Sequence, residues 1–240
     1  PGRGYETHAL YRGQDEVRFD ALKSEFPDVR WHRGDITDAG SVASAVSASN
    51  PHVVFNMAAL SFVGSSWQCP SLYMETNVNG FINVLEAVRQ HAPGAHVVQA
   101  SSSEMYGNAV TEVANEDSQM VPASPYGVSK LAAHRLCKVY RDSYGMRVSG
   151  AISFNHESPY RAPVFVTRKI ARWAASWANG DGELLKLGNI DARRDWGDAG
   201  DFTRAYSLMA EASRADDYVG ATGETYSVRQ FLVTAAELCR

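Results

Sequence analysis

AHVVQASSSEMYG, residues 95–107, reads as an apolar strand running straight into a polar loop. Residues 95–100 form a short apolar run of the kind that is buried on both faces of a parallel sheet. Hydroxyls and a carboxylate follow at its carboxyl end, where ligands of open parallel sheets bind. If the extended trace persists, Ser102 and Glu104 share one face, because side chains two apart in a strand point the same way. The competing reading is a polar turn with a solvated carboxylate.

SPYGVSKLAAHRLCKVYRDSYG follows at residues 124–145, with helical periodicity and a Ser-Pro start. Tyr126 and Lys130 stand four apart and so share a helix face. A tyrosine, with a pKa of about 10, is a poor base at neutral pH until its phenolate is stabilised. Lys130 would supply that stabilisation. Two unit charges about 4 Å apart interact by roughly 4 kcal/mol at an effective dielectric of 20, enough to lower a pKa by about three before desolvation is subtracted. Tyr126 would then take a proton from a substrate hydroxyl. Taken alone, a Tyr-x-x-x-Lys spacing is equally the mark of an ordinary surface helix. A strand-end loop followed by this helix is the order that converging catalytic groups need.

Working outward, strand patterns at 5–11, 28–36, 52–59, 95–102 and 146–154 alternate with helical patterns at 41–50, 72–92 and 124–145. Strand and helix in alternation predict an α/β fold, a doubly wound, Rossmann-like parallel sheet. The later part is mixed: 165–180 is helix-like, 183–189 strand-like, 207–215 and 227–239 helical. The expected division is a dinucleotide-binding unit over 1–154 and a smaller, mainly substrate-binding region over 155–240, some of whose segments return to the sheet. A dinucleotide fold opens with a strand, a glycine-rich turn and a helix. Here PGRG at 1–4 reads like the tail of that helix, and the last residues stop inside a helical pattern, so the chain is expected to be truncated at both ends.

At 240 residues the chain can bury a sizeable core. A net charge of -4 carries no polyelectrolyte signature and argues against a nucleic-acid partner. Cys69, Cys137 and Cys239 are odd in number, scattered and without metal-ligand spacing, which suits thiols in a reducing, cytoplasmic setting with no bound metal. No membrane-spanning run or signal-peptide pattern is present. At the end of the first strand Arg12 stands without an adjacent acid, which favours NADP over NAD, unless it is a solvated surface charge.

Together these residues resemble the extended short-chain dehydrogenases, in the GDP-mannose 4,6-dehydratase branch. The resemblance rests on QASSSEMYG (99–107), SPYGVSK (124–130), FNHESPYR (154–161), FVTRKI (165–170), LGNIDARRDWG (187–197) and ATGETYSVR (221–229). It implies that Tyr126 is the base and that Lys130 is its partner and binds the nicotinamide ribose. Ser102 takes the family's Thr or Ser position, and Glu104 is the acid/base that dehydratases add. In the implied mechanism Tyr126 takes the 4-hydroxyl proton as hydride leaves C4 for the cofactor. Glu104 removes the C5 proton and helps expel the 6-hydroxyl, and the hydride returns to C6.

On the cofactor side the resemblance implies Asp35 and Ile36, in Gly34-Asp35-Ile36, at the adenine, with Ala58 and Ala59 allowing close approach. The alternatives are a strand-ending turn and core packing. Asn155, Lys169 and Arg194, with Arg193 as the near alternative, fall where the family holds the nucleotide diphosphate of GDP-mannose. His156 lacks a partner at metal-ligand spacing and is expected to make a structural or cofactor-side hydrogen bond. Trp173, Trp177 and Tyr206 are expected in the core. Leu60 and Phe62 replace the polar residues usual in the family's AAQSHV, and Tyr160 and residues 162–164 also depart from its pattern. The family suggests a homodimer or homotetramer. Two other readings stand: a related heptose dehydratase, or a nucleotide-sugar reductase or epimerase, and, from another class, a catalytically silent nucleotide-binding protein.

Overall fold

A computed structural model describes residues 4–13, 15–108, 113–182 and 184–239. Residues 1–3 of the PGRG segment lie outside them. The first half alternates as β1 (His8–Tyr11), α1 (Glu16–Glu25), β2 (Arg30–Arg33), α2 (Ala39–Ser49), β3 (Val53–Asn56), the short α3 (Val63–Ser66) and α4 (Pro70–Met74), α5 (Gly80–His91), β4 (His96–Ala100), α6 (Pro125–Tyr144) and β5 (Arg147–Ser153). The second half holds β6 (Asn155–Glu157), α7 (Val166–Ala178), β7 (Arg193–Arg194), β8 (Trp196–Asp198), α8 (Ala199–Glu211), β9 (Asp217–Gly220), β10 (Tyr226–Ser227) and α9 (Val228–Leu238).

β3, β4, β5 and β9 pair side by side, all parallel, and β1 pairs parallel with β2. Both faces of the larger sheet are covered, which is why β4 and β5 read as continuous apolar runs. On one face Val97 and Val148 meet Phe81, Leu85 and Val88 of α5 and Cys137 of α6. On the other, Val98 and Ala151 meet Tyr206, Met209 and Ala210 of α8. Burying one such large side chain contributes about 1.5–3 kcal/mol. The helices start and stop where their ends are satisfied. Ser124 accepts from the Gly127 amide and Pro125 opens α6, while Gly145, in the left-handed region at φ 63°, ends it. A reciprocal Ser227–Gln230 capping box opens α9.

The structure departs from the sequence expectations in four places. The helical pattern over 72–92 is broken by a π turn at Glu75–Asn79, where the Asn77 side chain bonds the backbone of Leu60. The strand expected over 183–189 does not form among the described residues: 184–189 are irregular, Leu184 is 84% exposed, and no described strand pairs with them. β9 and α1 carry too weak an apolar period to have been foreseen. Tyr206 is buried as expected, but Trp177 stacks on Trp173 with 42% of its surface exposed.

Candidate active site

β4 delivers the strand-end loop and α6 delivers the tyrosine and lysine, and the two meet through consecutive residues. Ala100 accepts from the Lys130 ammonium. Ser101 Oγ lies 2.9 Å from His134 Nδ1. Ser102 lies close enough to the Tyr126 phenol to favour its ionised form. The extended trace ends at Ser102, so Glu104 does not continue a strand face. Residues 103–105 form a 3-10 turn whose first free amide, that of Glu104, is capped by Ser102 Oγ at 3.2 Å. The carboxylate therefore reaches the Tyr126 neighbourhood from a turn rather than from a strand. Gly107 closes the loop in the left-handed region at φ 57°, and a Cβ there would sit 1.9 Å from the Val121 carbonyl oxygen.

Tyr126 is 7% exposed, and burial pushes its phenol up to about 12, against the lowering influence of the nearby Ser102. Glu104 adds to the rise and Arg161 opposes it. Lys130 is 4% exposed, and burial lowers its ammonium to about 8. The expectation that Lys130 faces the phenol is not met. A buried ammonium must find an acceptor, and the nearest is the Ala100 carbonyl at the end of β4. The Tyr126 ring packs edge-on against Tyr73, whose hydroxyl donates to the Phe62 carbonyl at 2.5 Å. Phe62 in turn meets Phe165 edge to face, and the Arg161 guanidinium lies 3.6 Å over the Phe165 ring.

Arg12 and Asp35 come together at the ends of β1 and β2, with Nε 3.9 Å from Oδ2. Asp35 is held below the usual carboxylate range chiefly by the Thr37 amide, which donates to it at 2.9 Å. The Ile36 side chain turns inward against Gly80 and into the core, so it is not open to a ligand, and its carbonyl accepts from Asn83 Nδ2 at 2.9 Å. Ala58 and Ala59 lie in the loop after β3, with Ala58 exposed and Ala59 half-buried.

Residues from the second half are more dispersed. Asn155 and His156 stand on β6, paired with Trp196 and Gly197 of β8. His156 Nδ1 donates to the Phe154 carbonyl at 2.8 Å, and its ring stacks on Phe202. Lys169 donates to the Lys186 carbonyl at 2.6 Å. Arg194 is exposed and donates to the Arg193 carbonyl, whereas Arg193 donates to Thr225. Asp195, buried beside them, accepts from the Thr222 amide and hydroxyl and the Gly223 amide, which knits 187–197 to 221–229. Hence Ser102, Glu104, Tyr126 and Lys130 form one cluster, Arg12 and Asp35 a second, and Lys169 and Arg194 lie apart with backbone partners.

Sequence reasoning missed Asn77, which is buried and accepts from the Leu60 amide at 2.8 Å. It donates to the Leu60 carbonyl and to Ser129 Oγ at 3.0 and 2.9 Å. It also missed His134, which sits four residues beyond Lys130 on the helix. The only available signal was a polar residue at a core-facing helical position.

The sequence matches the GDP-mannose 4,6 dehydratase family over residues 2–239. It is 39% identical to a GDP-mannose 4,6-dehydratase of Sinorhizobium fredii (strain HH103), over 98% of this chain and 69% of that protein. It is 41% identical to one of Dictyostelium discoideum, over 90% of this chain and 61% of that protein. The chain thus spans roughly two thirds of the curated relatives it matches. Among solved structures, RMD from Pseudomonas aeruginosa, complexed with NADPH, superposes with a TM-score of 0.83 at 25% identity, covering 97% of this chain and 84% of that one.

Proposed function

The chain belongs to the GDP-mannose 4,6-dehydratase family, and from that premise we propose that it converts GDP-mannose to GDP-4-keto-6-deoxymannose, using NADP. The observation that carries the reading is that Glu104, on its turn, is near enough for its charge to raise the Tyr126 phenol, because a second acid/base within reach of the tyrosine's site is what a dehydration needs beyond an oxidation.

The nicotinamide cofactor, when bound, supplies reversible hydride transfer, so the net reaction needs no external oxidant. Arg12 suits the 2'-phosphate and Asp35 the adenine, and the small Ala58 and Ala59 leave the backbone open to close approach. The Ile36 backbone, Lys130, Tyr126 and His156 complete the expected cofactor set. The NADPH complex of RMD supports a nicotinamide group of the phosphorylated kind.

Tyr126 would take the proton of the sugar 4-hydroxyl once its phenol is lowered from about 12, a direction in which the positive charges of Lys130 and of a bound oxidised nicotinamide would both act. Ser102, near the phenol, would face the same oxygen. The resulting 4-ketone acidifies the C5 proton, which Glu104 would remove and deliver to the departing 6-hydroxyl as water. The hydride would then return to C6 and the proton held by Tyr126 would go to C5, which gives the 4-keto-6-deoxy sugar and restores both side chains. Lys130, held by Ala100, keeps a positive charge at the foot of the site. We assign the cofactor to residues 1–154 and most substrate contacts to 155–240, with Asn155, Lys169 and Arg194 at the diphosphate. Lys169 and Arg194 would exchange backbone carbonyls for phosphate oxygens. Three free thiols suit a cytoplasmic enzyme.

Purified full-length protein incubated with NADP and GDP-mannose is expected to give the 4-keto-6-deoxy sugar without net NADPH change. Net consumption of NADPH would indicate a reductase instead. Failure to bind NADPH in a fluorescence titration would indicate a silent binding protein.

A further inference from the structure

Two consecutive residues at the end of β4 are tied to two residues of α6 four apart, Ala100 to Lys130 and Ser101 to His134, and the next residue of the loop, Ser102, lies near Tyr126, one turn earlier on the helix. Lys130 and Tyr126 belong to the site already described; His134 does not. It is 2% exposed. Behind it Asp217 of β9 places Oδ2 3.8 Å from Nε2 and is itself gripped by Arg141 through two bonds of 2.9 Å. Below it Gly150 of β5 has no room for a side chain, since a Cβ there would lie 2.7 Å from His134 Nδ1 and 2.6 Å from Asp217 Oδ1. The imidazole therefore fills a fixed slot between two strands.

Its tautomer follows from its partners. Nε2 faces a carboxylate and carries the hydrogen, which leaves Nδ1 to accept from the Ser101 hydroxyl. Ser101 is held on its other side by its own amide, which donates to the Ala151 carbonyl at 2.9 Å. With both the backbone and the side chain of Ser101 fixed, the direction in which residues 102–105 leave the strand is fixed as well.

We propose that His134 is a positioning residue for the acid/base set, acting through Ser101 to aim the Ser102 hydroxyl and the Glu104 turn at Tyr126. The kinetic part of the test rests on the dehydratase reading; the structural part does not. His134→Phe removes the acceptor and keeps a flat ring, though a larger one, His134→Gln keeps an acceptor, and Ser101→Ala removes the same bond from its other end without adding bulk. His134→Phe and Ser101→Ala are each expected to lower kcat about tenfold, with KM for GDP-mannose within about twofold. The double variant should be no slower than either single one. His134→Gln should recover most of the loss. Amide exchange over 101–105 should accelerate in the two loss variants while that of α6 stays at the wild-type rate.

Wild-type kcat together with wild-type exchange over 101–105 in Ser101→Ala would overturn the proposal. So would losses that merely follow the folded fraction, with the Gln variant no better than the Phe variant. If His134→Phe does not fold, Ser101→Ala decides alone. If the wild-type protein makes no product from GDP-mannose, the dehydratase reading fails, and exchange over 101–105 in Ser101→Ala still decides the positioning role.

Discussion

At the scale of single residues, the proposed site combines a tyrosine whose phenol burial pushes up to about 12, and which must be lowered before it can serve as a base, with a carboxylate proposed to act one carbon further along the sugar. Their separate tasks give separable defects. Glu104→Gln is expected to keep the first oxidation and stall before water loss, so that reduced cofactor accumulates at 340 nm in a single turnover. Tyr126→Phe should depress every step, by about 100-fold or more in kcat. Normal turnover by Glu104→Gln would remove that residue from the C5 step. Lys130 makes a prediction about stability. Its ammonium is lowered from 10.5 to about 8 by burial, so between those values the unfolded chain binds more protons than the folded one. Stability contributed by this group is present above about 10.5 and is lost as the pH falls through about 8. Denaturation midpoints of the wild type should therefore rise across that window relative to Lys130→Met, and parallel profiles for the two would refute the burial argument.

At the scale of elements, α6 acts as the rail along which the loop after β4 is docked, and the π turn before α5 holds the loop after β3. Asn77 is the pin of the second arrangement. Its amide satisfies both backbone groups of Leu60, next to Ala58 and Ala59, and reaches Ser129 on α6. Asn77→Ala leaves those partners buried and unpaired, at about 1–3 kcal/mol each where water cannot reach them. The expected result is a loss of about 2 kcal/mol or more in urea unfolding, together with weaker NADPH binding. Wild-type cofactor affinity in this variant would mean that the loop needs no pin. The same element shows where sequence reading stops. The apolar spacing of residues 80–91 was plain, but a π turn arises because one side chain finds a better partner outside its own helix, and no local pattern carries that information.

At the scale of the whole molecule, what was legible in the sequence was what repeats with a local period. Residues 95–100 and 146–154 announced two buried strands, and Tyr126 with Lys130 announced a shared helix face. What was not legible depends on pairing between distant residues. β9 is four residues beginning with an aspartate, and it is a strand only because Gly150 to Ser153 of β5 present an edge to it. The Ser101–His134 bond and the Lys130–Ala100 bond are likewise set by how β4 docks on α6, which spacing alone could not give. Because β9 closes the β5 edge and α8 covers Val98 and Ala151, the second half of the chain is part of the first half's core. Residues 1–154 and 155–240 should therefore unfold together, even where they divide the binding work between them. Tryptophan fluorescence, which reports Trp173, Trp177 and Trp196 in the second half as well as Trp31 and Trp67 in the first, should give the same urea midpoint as far-UV circular dichroism. Met209→Ala, which opens a cavity on the α8 face, should shift both midpoints together and cost about 2–5 kcal/mol. Two separated transitions, with only the later half moved by Met209→Ala, would show instead that the halves are independent and that the β5–β9 edge contributes little to either.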